Sequence, residues 1–280
     1  MAEWLSSLAC FATGAAVALT ADRFWPRFRS NRMADNLEQA LHHDVRPNEF
    51  EVYYQPIVEL PQRQWRGFEA LLRWRSRDGT VSPDRFVPAA LEAGLLEKLT
   101  VRMIKLVARD MVPVLRQRPD LYVAINTPPE LLGRGSLVSA AQSFGLHAIT
   151  EQVVIEVTET GFVDHITRAE ITAARALGAR VAIDDFGTGT NGLAQLQDLE
   201  IDLIKIDQSF VRKIGSQAPG AKLVDAIVAI AREIGAQTVA EGVETEPQAE
   251  YLTALGVEFG QGWLFARPLP LREVRTRLGM

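Results

Sequence analysis

Cysteine and histidine are scarce in this sequence. The single cysteine, Cys10, excludes an intramolecular disulfide bond and a cysteine-rich metal site. The four histidines, His42, His43, His147 and His165, are scattered and show no metal-ligand spacing. An excess of positive charge is also missing, because the formal net charge is −5, and we therefore predict no duplex nucleic acid partner. Any metal ion in this protein would be held by oxygen atoms.

Charged residues are absent from one long stretch, residues 4–21, which is rich in alanine, leucine, valine and phenylalanine. A helix of this length just reaches across the hydrocarbon core of a membrane, which is about 30 Å thick. Four arginines follow it: Arg23, Arg27, Arg29 and Arg32. Basic residues after a span place the next part of the chain in the cytoplasm. We therefore predict that residues 1–30 form one hydrophobic helix, a single-pass anchor in the inner (cytoplasmic) membrane. An alanine-rich helix packed on the domain is the alternative.

The overall composition is that of a globular protein, with 47% hydrophobic and 23% charged residues in 280. That balance suffices for one large core or two small ones. Residues 31–48 are polar and contain a short helical pattern that ends at Pro47, so we interpret them as a linker helix. No linker divides residues 49–280, which we predict to be one domain.

Short apolar runs alternate with helical patterns along residues 49–280. The first two runs, residues 51–59 and 65–74, are rich in β-branched and aromatic residues and are joined by a turn at Pro61, which predicts a β-hairpin. The later runs are short and apolar throughout, which is typical of parallel strands covered on both faces. Their number and the domain length favour a closed barrel of about 250 residues over an open sheet. We therefore predict an α/β fold, a (β/α)8 TIM-like barrel.

Polar residues recur where the predicted strands end. They are Asn126, Glu156, Glu159, Asp184, Asp185, Lys205, Asp207, Glu241, Glu244 and Gln261, with Glu69 inside the second strand. In a parallel barrel the carboxyl ends of the strands open on one face, where sites are built. Helix capping explains one acid at a strand end, but not such residues at strand after strand. Carboxylates that converge without histidine suggest one or two hard cations, magnesium or manganese.

Several of these side chains allow two interpretations. Asp184 and Asp185 end a buried strand and precede a glycine-containing loop. Adjacent carboxylates repel one another in a low dielectric, and a bound cation removes that cost, although a solvated turn has the same sequence signature. Lys205 is either a counter-ion for the acids or a group that orients or deprotonates a water molecule. Arg73 either pairs with a phosphate group or is an ordinary arginine on the surface of its strand.

The predicted site is compatible with more than one reaction. Two cations about 4 Å apart suit the hydrolysis of a phosphate ester, because they hold the attacking and leaving oxygens in line. Proton abstraction of the enolase type also uses a barrel with carboxylate-bound magnesium. The residue pattern alone leaves both reactions open.

Short motifs follow one another along the predicted barrel. They are Tyr54-Gln-Pro-Ile-Val58, Glu69-Ala-Leu71, Asp184-Asp-Phe-Gly-Thr-Gly189, Lys205-Ile-Asp207, Glu241-Gly-Val-Glu-Thr245 and Gln261-Gly-Trp-Leu-Phe265. In order and spacing these motifs resemble those of the EAL domain family, the cyclic di-GMP phosphodiesterases of bacteria. The resemblance covers about residues 36–280.

The resemblance implies a function and a set of site residues. It implies hydrolysis of one phosphodiester bond of cyclic di-GMP to linear pGpG with two Mg²⁺ or Mn²⁺ ions, in a homodimer of cytoplasmic barrels whose first strand runs antiparallel. The implied metal ligands are Glu69, Asn126, Glu156, Asp184, Asp185 and Glu241, with Asp185 on the second ion. The implied catalytic residues are Glu69, Asp185 and Lys205, which contacts the nucleophilic water. The other implied residues are Arg73 and Gln261, which contact substrate, and Glu159 and Glu244, which hold the loop after Asp185.

The sequence departs from the family pattern at two places. Thr190-Asn-Gly192 replaces the usual Tyr-Ser-Ser in the loop after Asp185, which adds a glycine and removes an aromatic ring. Thr127-Pro128 replaces the usual x-Ser after Asn126. Because that loop couples metal binding to dimer contacts in the family, the alternative function is a catalytically weak cyclic di-GMP receptor or dimerisation module. A further alternative is a barrel enzyme acting on another magnesium-bound substrate.

Overall fold

The computed structural model describes residues 32–41, 49–76, 79–132, 135–158, 165–187, 200–216 and 222–280. The predicted membrane helix of residues 1–30 lies outside this range. Within the residues just named, no helix combines the length and apolar character that crossing a membrane requires. The chain forms two compact units. One contains Phe50 and the described residues before it together with Arg73–Leu99, and the other contains Glu51–Leu72 and Thr100–Met280.

The first unit packs around an aromatic cluster. Its elements are α1 (residues 32–41), the end of β2 (Gln64–Ser76), β3 (Gly79–Val81), α2 (Pro83–Glu92) and the start of α3 (Leu96–Leu115). Trp74 stacks on Phe50 with 5.9 Å between ring centroids and meets Phe86 edge-on at 5.9 Å. Leu37 and Ala40 of α1 are buried. Such aromatic pairs stabilise a core beyond the area they bury, and α1 lies within the residues interpreted as a linker helix.

The second unit is a barrel of strands with helices packed on it. Its strands are β1 (Phe50–Glu59), β2, β4 (Tyr122–Asn126), β5 (Val153–Thr158), β6 (Arg180–Phe186), β7 (Leu203–Ile206), β8 (Gln237–Ala240), β9 (Phe259–Gly260) and β10 (Leu269–Pro270). Its helices are the rest of α3, α4 (Ser136–Ser143), α5 (His165–Ala176), α6 (Gln208–Val211), α7 (Leu223–Ile234), α8 (Glu246–Leu255) and α9 (Leu271–Arg277). Short 3-10 helices span Pro129–Leu131 and Leu146–Gln152.

Strand pairing closes the barrel. The hydrogen-bonded order runs β1-β9-β8-β7-β6-β5-β4-β2, and β2 pairs again with β1. The pairs from β2 to β9 are parallel. In contrast, β1 pairs antiparallel with β9, with Val58 opposite Gly260. The TIM-like barrel and its antiparallel first strand are therefore confirmed, whereas the hydrophobic helix before it stays a prediction.

Alternation along the strands builds the interior of the barrel. One buried cluster consists of Ile57, Tyr122, Ala124, Val154, Ala182, Leu203, Val239 and Phe259. Successive side chains of a strand point to opposite faces, so positions two residues apart share a face. Six members of this cluster are each followed, two positions later in the sequence, by a polar residue. These polar residues are Asn126, Glu156, Asp184, Lys205, Glu241 and Gln261. The polar residues predicted from the sequence thus continue the inward-facing rows at the carboxyl ends of the strands.

Gly67 of β2 makes room for an aromatic ring inside the barrel. A Cβ atom on Gly67 would lie 2.5 Å from Cζ of Tyr122, which is closer than non-bonded atoms can approach. The Tyr122 ring also meets Phe259 edge-on at 6.4 Å and lies 4.5 Å from the guanidinium carbon of Arg180. The Tyr122 ring therefore fits at this level of the barrel only because glycine has no side chain at position 67.

Candidate active site

Lys205 stands at the centre of a cluster of carboxylates. Its Nζ lies 2.8 Å from Glu241 Oε1, 3.0 Å from Asp184 Oδ1 and 3.1 Å from Glu156 Oε1. Glu69 Oε2 is 3.9 Å away. These side chains come from five different strands or strand ends, β2, β5, β6, β7 and the residue after β8. Barrel closure therefore brings together acids that are far apart in the sequence.

Two amides position Glu69 within this cluster. Asn126 Nδ2 donates a hydrogen bond to Glu69 Oε1 at 2.8 Å, and Gln261 Nε2 donates one to Glu69 Oε2 at 2.6 Å. Both carboxylate oxygens of Glu69 are thus fixed. Because Gln261 uses its nitrogen in this way, its buried carbonyl oxygen remains available for another partner.

The cluster carries more negative than positive charge. Burial lowers the pKa of Lys205, but the surrounding carboxylates outweigh burial and raise it well above its usual value, so the ammonium stays charged. Burial raises the pKa of Glu156 well above its usual value although Lys205 lowers it. Burial, helped by the charges of Asp184 and Glu69, also raises the pKa of Glu241 to about 7. One ammonium therefore does not compensate for all the acids around it.

A bulge at the end of β6 turns Asp185 toward the same region. The pairing of β6 with β7 shifts register between Ile183 and Phe186. Asp185 has a φ of 55°, in the left-handed region that aspartate tolerates better than most residues, and its N–H donates to Asp184 Oδ1 at 2.9 Å. Burial, followed by the charges of Asp184 and Asp207, raises the pKa of Asp185. One carboxylate oxygen each from Asp184, Asp185 and Glu241 lies within 4.8 Å of the others.

The residues of this cluster fit a divalent cation. The donors are carboxylate and amide oxygens, which magnesium, manganese and calcium prefer. Two buried oxygens, Glu156 Oε2 and Gln261 Oε1, have no hydrogen-bond partner among the described residues. A buried oxygen without a partner is costly, and a cation satisfies it while also offsetting the excess negative charge.

A cavity of about 310 Å³ opens beside the cluster. It is lined by Gln55, Glu69, Asp184, Lys205, Gln208, Arg212, Glu241, Gly242, Glu244, Gln261, Gly262 and Trp263. Gln55, Gln208, Arg212 and Trp263 were not predicted as site residues from the sequence. Two of them lie inside the short motifs of the barrel, since Gln55 follows Tyr54 and Trp263 stands two residues after Gln261. The alternation of strand residues was the available signal for Gln55, because it shares a face with Ile57.

The structure leaves some predicted site residues untested. Arg73 lies half-buried in β2 and belongs to the first unit, so its predicted contact with substrate stays a prediction. Glu159 and the loop after Asp185, residues 188–199, lie outside the described residues. Glu244 lines the cavity, and its N–H donates a hydrogen bond to Gln248 Oε1 at 2.9 Å, in the first turn of α8. Its predicted role of holding that loop therefore also stays a prediction.

Fold and cluster together define a TIM-like barrel with an acidic, lysine-containing site at the carboxyl ends of its strands, where barrel enzymes carry their active sites. The sequence profile of the EAL domain matches residues 34–268 of this chain. The chain belongs to the EAL domain family.

Individual relatives agree with this assignment. The chain is 38% identical over 226 residues to the probable cyclic di-GMP phosphodiesterase PdeB of Escherichia coli, covering 79% of this chain and 43% of PdeB. It is 37% identical over 250 residues to the cyclic di-GMP phosphodiesterase NbdA of Pseudomonas aeruginosa, covering 86% of this chain and 32% of NbdA. The chain thus spans less than half the length of these two relatives.

A solved structure is similar over nearly its full length. The PaMucR phosphodiesterase in its c-di-GMP complex superposes with a TM-score of 0.79 at 32% identity. The match covers 87% of this chain and 99% of the PaMucR chain. The similarity therefore extends over most of this chain.

Proposed function

We propose that this chain hydrolyses one phosphodiester bond of cyclic di-GMP and releases linear pGpG. The observation that carries the proposal is the cluster of four carboxylates within 3.9 Å of Lys205 Nζ, at the edge of an open cavity in an EAL domain. The names of PdeB and NbdA and the c-di-GMP complex of PaMucR support the substrate.

We propose that two Mg²⁺ or Mn²⁺ ions occupy the cluster. Their ligands would be the oxygens of Glu69, Asn126, Glu156, Asp184, Asp185 and Glu241. When bound, such cations neutralise charge on phosphoryl oxygens and make water a stronger nucleophile near neutral pH. The excess of acids over the single ammonium and the unpartnered Glu156 Oε2 support this part of the proposal.

The side chains of the cluster orient the reactants. In this proposal Lys205 donates a hydrogen bond to the attacking water or to a phosphoryl oxygen; the surrounding acids, which raise its pKa and keep it charged, support this role. Glu69 and Gln261 hold one another rigidly at the cavity, so that the Gln261 carbonyl is fixed for a substrate contact. The water oxygen loses a proton and bonds to phosphorus, the bond from phosphorus to the leaving sugar oxygen breaks, and that oxygen takes up a proton, so that one water molecule is added across the bond.

Incubation of the purified protein with cyclic di-GMP and Mg²⁺ or Mn²⁺ tests the function. We expect pGpG as the product by chromatography and mass spectrometry, and no product in the presence of a chelator. The matched negative control is Glu156→Gln, which keeps the shape of the side chain and removes its charge. Folded, cation-loaded protein that leaves cyclic di-GMP intact would contradict the proposal.

The alternative of a receptor without turnover has its own signature. The departure at Thr190-Asn-Gly192 favours it, because that loop differs from the family pattern next to Asp185. Calorimetry that shows binding of cyclic di-GMP without any product would select this alternative.

Membrane attachment and dimerisation are further proposals about the whole chain. Uncharged residues 4–21 with the arginines after them support a membrane anchor in the inner membrane. Fractionation of cells that express the chain, and light scattering of the purified barrel, test these two proposals. Recovery of the chain in the soluble fraction would reject the anchor.

A further inference from the structure

Another cavity, of about 230 Å³, lies on the outer side of the barrel wall. It is enclosed between strands β4 and β5 and the helices α3, α4 and α5. Of the seventeen described residues that line it, thirteen are isoleucine, leucine, valine or alanine, and none is Asp, Glu, Lys or Arg. An apolar cavity of about 150 Å³ is large enough to exclude water and bind benzene. This larger cavity is therefore suited to an apolar ligand.

The cavity lies directly behind two residues of the acidic site. Ile125 of β4 and Ile155 of β5 line it, and they are paired with each other in the sheet. The next residues along the two strands are Asn126 and Glu156, whose side chains point to the opposite face. A ligand in this cavity therefore contacts the strands that carry Asn126 and Glu156 without entering the acidic cavity.

The cavity is elongated along the strands. Val153, the first residue of β5, lines one end. Thr127 lines the other end, where its N–H donates to Glu156 O at 2.9 Å. Because Val153 is paired with Val123, the two ends are four residues apart along the chain of β4, or about 13 Å at 3.3 Å per residue. An extended hydrocarbon chain advances about 1.3 Å per carbon–carbon bond, so this length accommodates about ten carbon atoms.

Polar side chains are grouped at the end near the start of β5. They are Gln142, His147 and Thr150. Gln142 and His147 are exposed, so this end of the cavity opens to solvent. His147 Nδ1 lies 3.1 Å from Gln142 O, so Nε2 is the ring nitrogen that can face a ligand. Amide and imidazole N–H groups both donate hydrogen bonds to a carboxylate.

We propose that this cavity binds a medium-chain fatty acid. The hydrocarbon chain lies along the outer faces of β4 and β5, and the carboxylate meets Gln142 and His147 at the open end. The described lining contains no Phe, Tyr or Trp on which a planar ligand could stack, and its aliphatic side chains suit a saturated chain. Ligand sites are typically apolar with a few polar groups that fix the orientation, as here. The inference goes beyond the proposed hydrolysis and does not depend on it.

Equilibrium dialysis of the purified protein with labelled decanoic acid tests the site. We expect saturable binding of one molecule per chain. Octanoic acid should bind about 15-fold more weakly, because each buried methylene group contributes about fourfold to affinity. Tetradecanoic acid, which is longer than the cavity, should bind less than about threefold more tightly than decanoic acid. Uptake that does not saturate, or affinity that keeps rising about fourfold per methylene beyond ten carbons, would overturn the inference.

Substitutions that fill the cavity test its location. Ala174→Leu in α5 should weaken the binding of decanoic acid at least about tenfold, because the added carbons take the place of about three methylene groups. The matched control is Ala173→Leu at the exposed neighbouring position, which should bind as the wild type does. Ala141→Leu fills the cavity from α4 and should reproduce the loss. Wild-type affinity in both filling variants, with wild-type circular dichroism, would refute the location.

A double variant tests the position of the carboxylate. Gln142→Ala combined with His147→Ala should weaken the binding of decanoic acid about tenfold and that of decan-1-ol less than about threefold, because hydrogen bonds to a charged acceptor are stronger than neutral ones. Equal losses for the two ligands, or no loss for either, would rule out a fatty acid as the ligand. None of these measurements involves turnover, so a failure of the proposed hydrolysis leaves their outcome unchanged.

Discussion

Lys205 Nζ lies 3.1 Å from Glu156 Oε1, and each of these side chains is only 2% exposed. A buried ion pair is expensive to form, because both ions lose their hydration, but it is more expensive to break by removing one partner. Here the lysine also contacts Asp184 and Glu241. It acts as an internal counter-ion of the acids, which is one of the two interpretations that the sequence left open.

Removing the charge of Lys205 should destabilise the cation-free protein. We expect Lys205→Met to lower the free energy of unfolding by about 3–5 kcal/mol in a chelator, because the buried acids lose the one ammonium that contacts them among the described residues. Added Mg²⁺ should recover part of that loss by taking over the compensation of charge. Urea unfolding with and without chelator measures both effects, with the exposed Lys222→Met as the matched control. Equal unfolding free energies for Lys205→Met and wild type in chelator would refute this prediction.

Glu69→Ala should abolish turnover and also cost stability. The substitution removes a predicted metal ligand and leaves the amide donors of Asn126 and Gln261 without their acceptor. Unsatisfied buried donors cost about 1–3 kcal/mol, so the unfolding free energy should fall by that order, partly offset by weaker repulsion among the remaining acids. The product assay and urea unfolding measure the two effects. Exposed Glu233→Ala is the control, and retained activity in Glu69→Ala would discredit the site.

Stability of the cation-free protein should decrease as pH rises from about 4.5 to about 7. The pKa of Glu241 is raised from 4.5 to about 7 in the folded protein. In that window the native state holds a proton that the unfolded chain has released, so raising the pH favours unfolding. Urea unfolding in chelator across this range measures the slope. Glu241→Gln cannot titrate at this position, so it should make the slope smaller, while Glu156 and Asp185, whose pKa values are also raised, still contribute. An unchanged slope in this variant would count against the assignment.

The same titration should act in the opposite direction on cation affinity. A protonated Glu241 cannot serve as a ligand, so affinity for Mg²⁺ should increase as pH rises toward about 7. Calorimetric titration of wild type at several pH values measures this dependence. Affinity that is constant across the window would show that Glu241 does not take part in binding.

Gly67→Ala should destabilise the barrel through the Tyr122 ring. The added Cβ would lie 2.5 Å from Tyr122 Cζ, so the ring must move against Phe259. Overpacking of a core costs about 1–3 kcal/mol, and we expect a loss of that size in the free energy of unfolding. In a Tyr122→Leu background, Gly67→Ala should lower the free energy of unfolding by less than it does in the wild-type protein. Strict additivity of the two substitutions would contradict this packing account.

Local sequence patterns were enough to predict the barrel and most members of the cluster. The hairpin of residues 51–59 and 65–74 was visible in its β-branched residues, and the parallel strands in their apolar runs. The inward positions of Glu156, Asp184 and Lys205 follow from alternation along those strands. Closure of the barrel then brings these side chains together, because the carboxyl ends of all the parallel strands lie on one face.

Features that depend on tertiary contacts were not visible in the sequence. The bulge at Asp185 arises from the pairing of β6 with β7, and no residue pattern marks it. Pairing with β1 and β8 restricts β9 to Phe259–Gly260. The contact of Arg267 with Trp263 likewise depends on how the segment after β9 folds back. Each of these features depends on contacts between residues that are neighbours in space, and no periodic sequence pattern predicts such contacts.

The reversed direction of β1 decides where the polypeptide enters the barrel. In an all-parallel barrel the first strand starts at the end remote from the catalytic rim. Here β1 runs against β9, so its amino end stands on the same rim as Glu241 and Gln261, and Gln55 faces the cavity. The amino-terminal half of β1 therefore contributes side chains to the catalytic end of the barrel, whereas Glu59, opposite Phe259, marks the end of β1 that is remote from the acidic cluster.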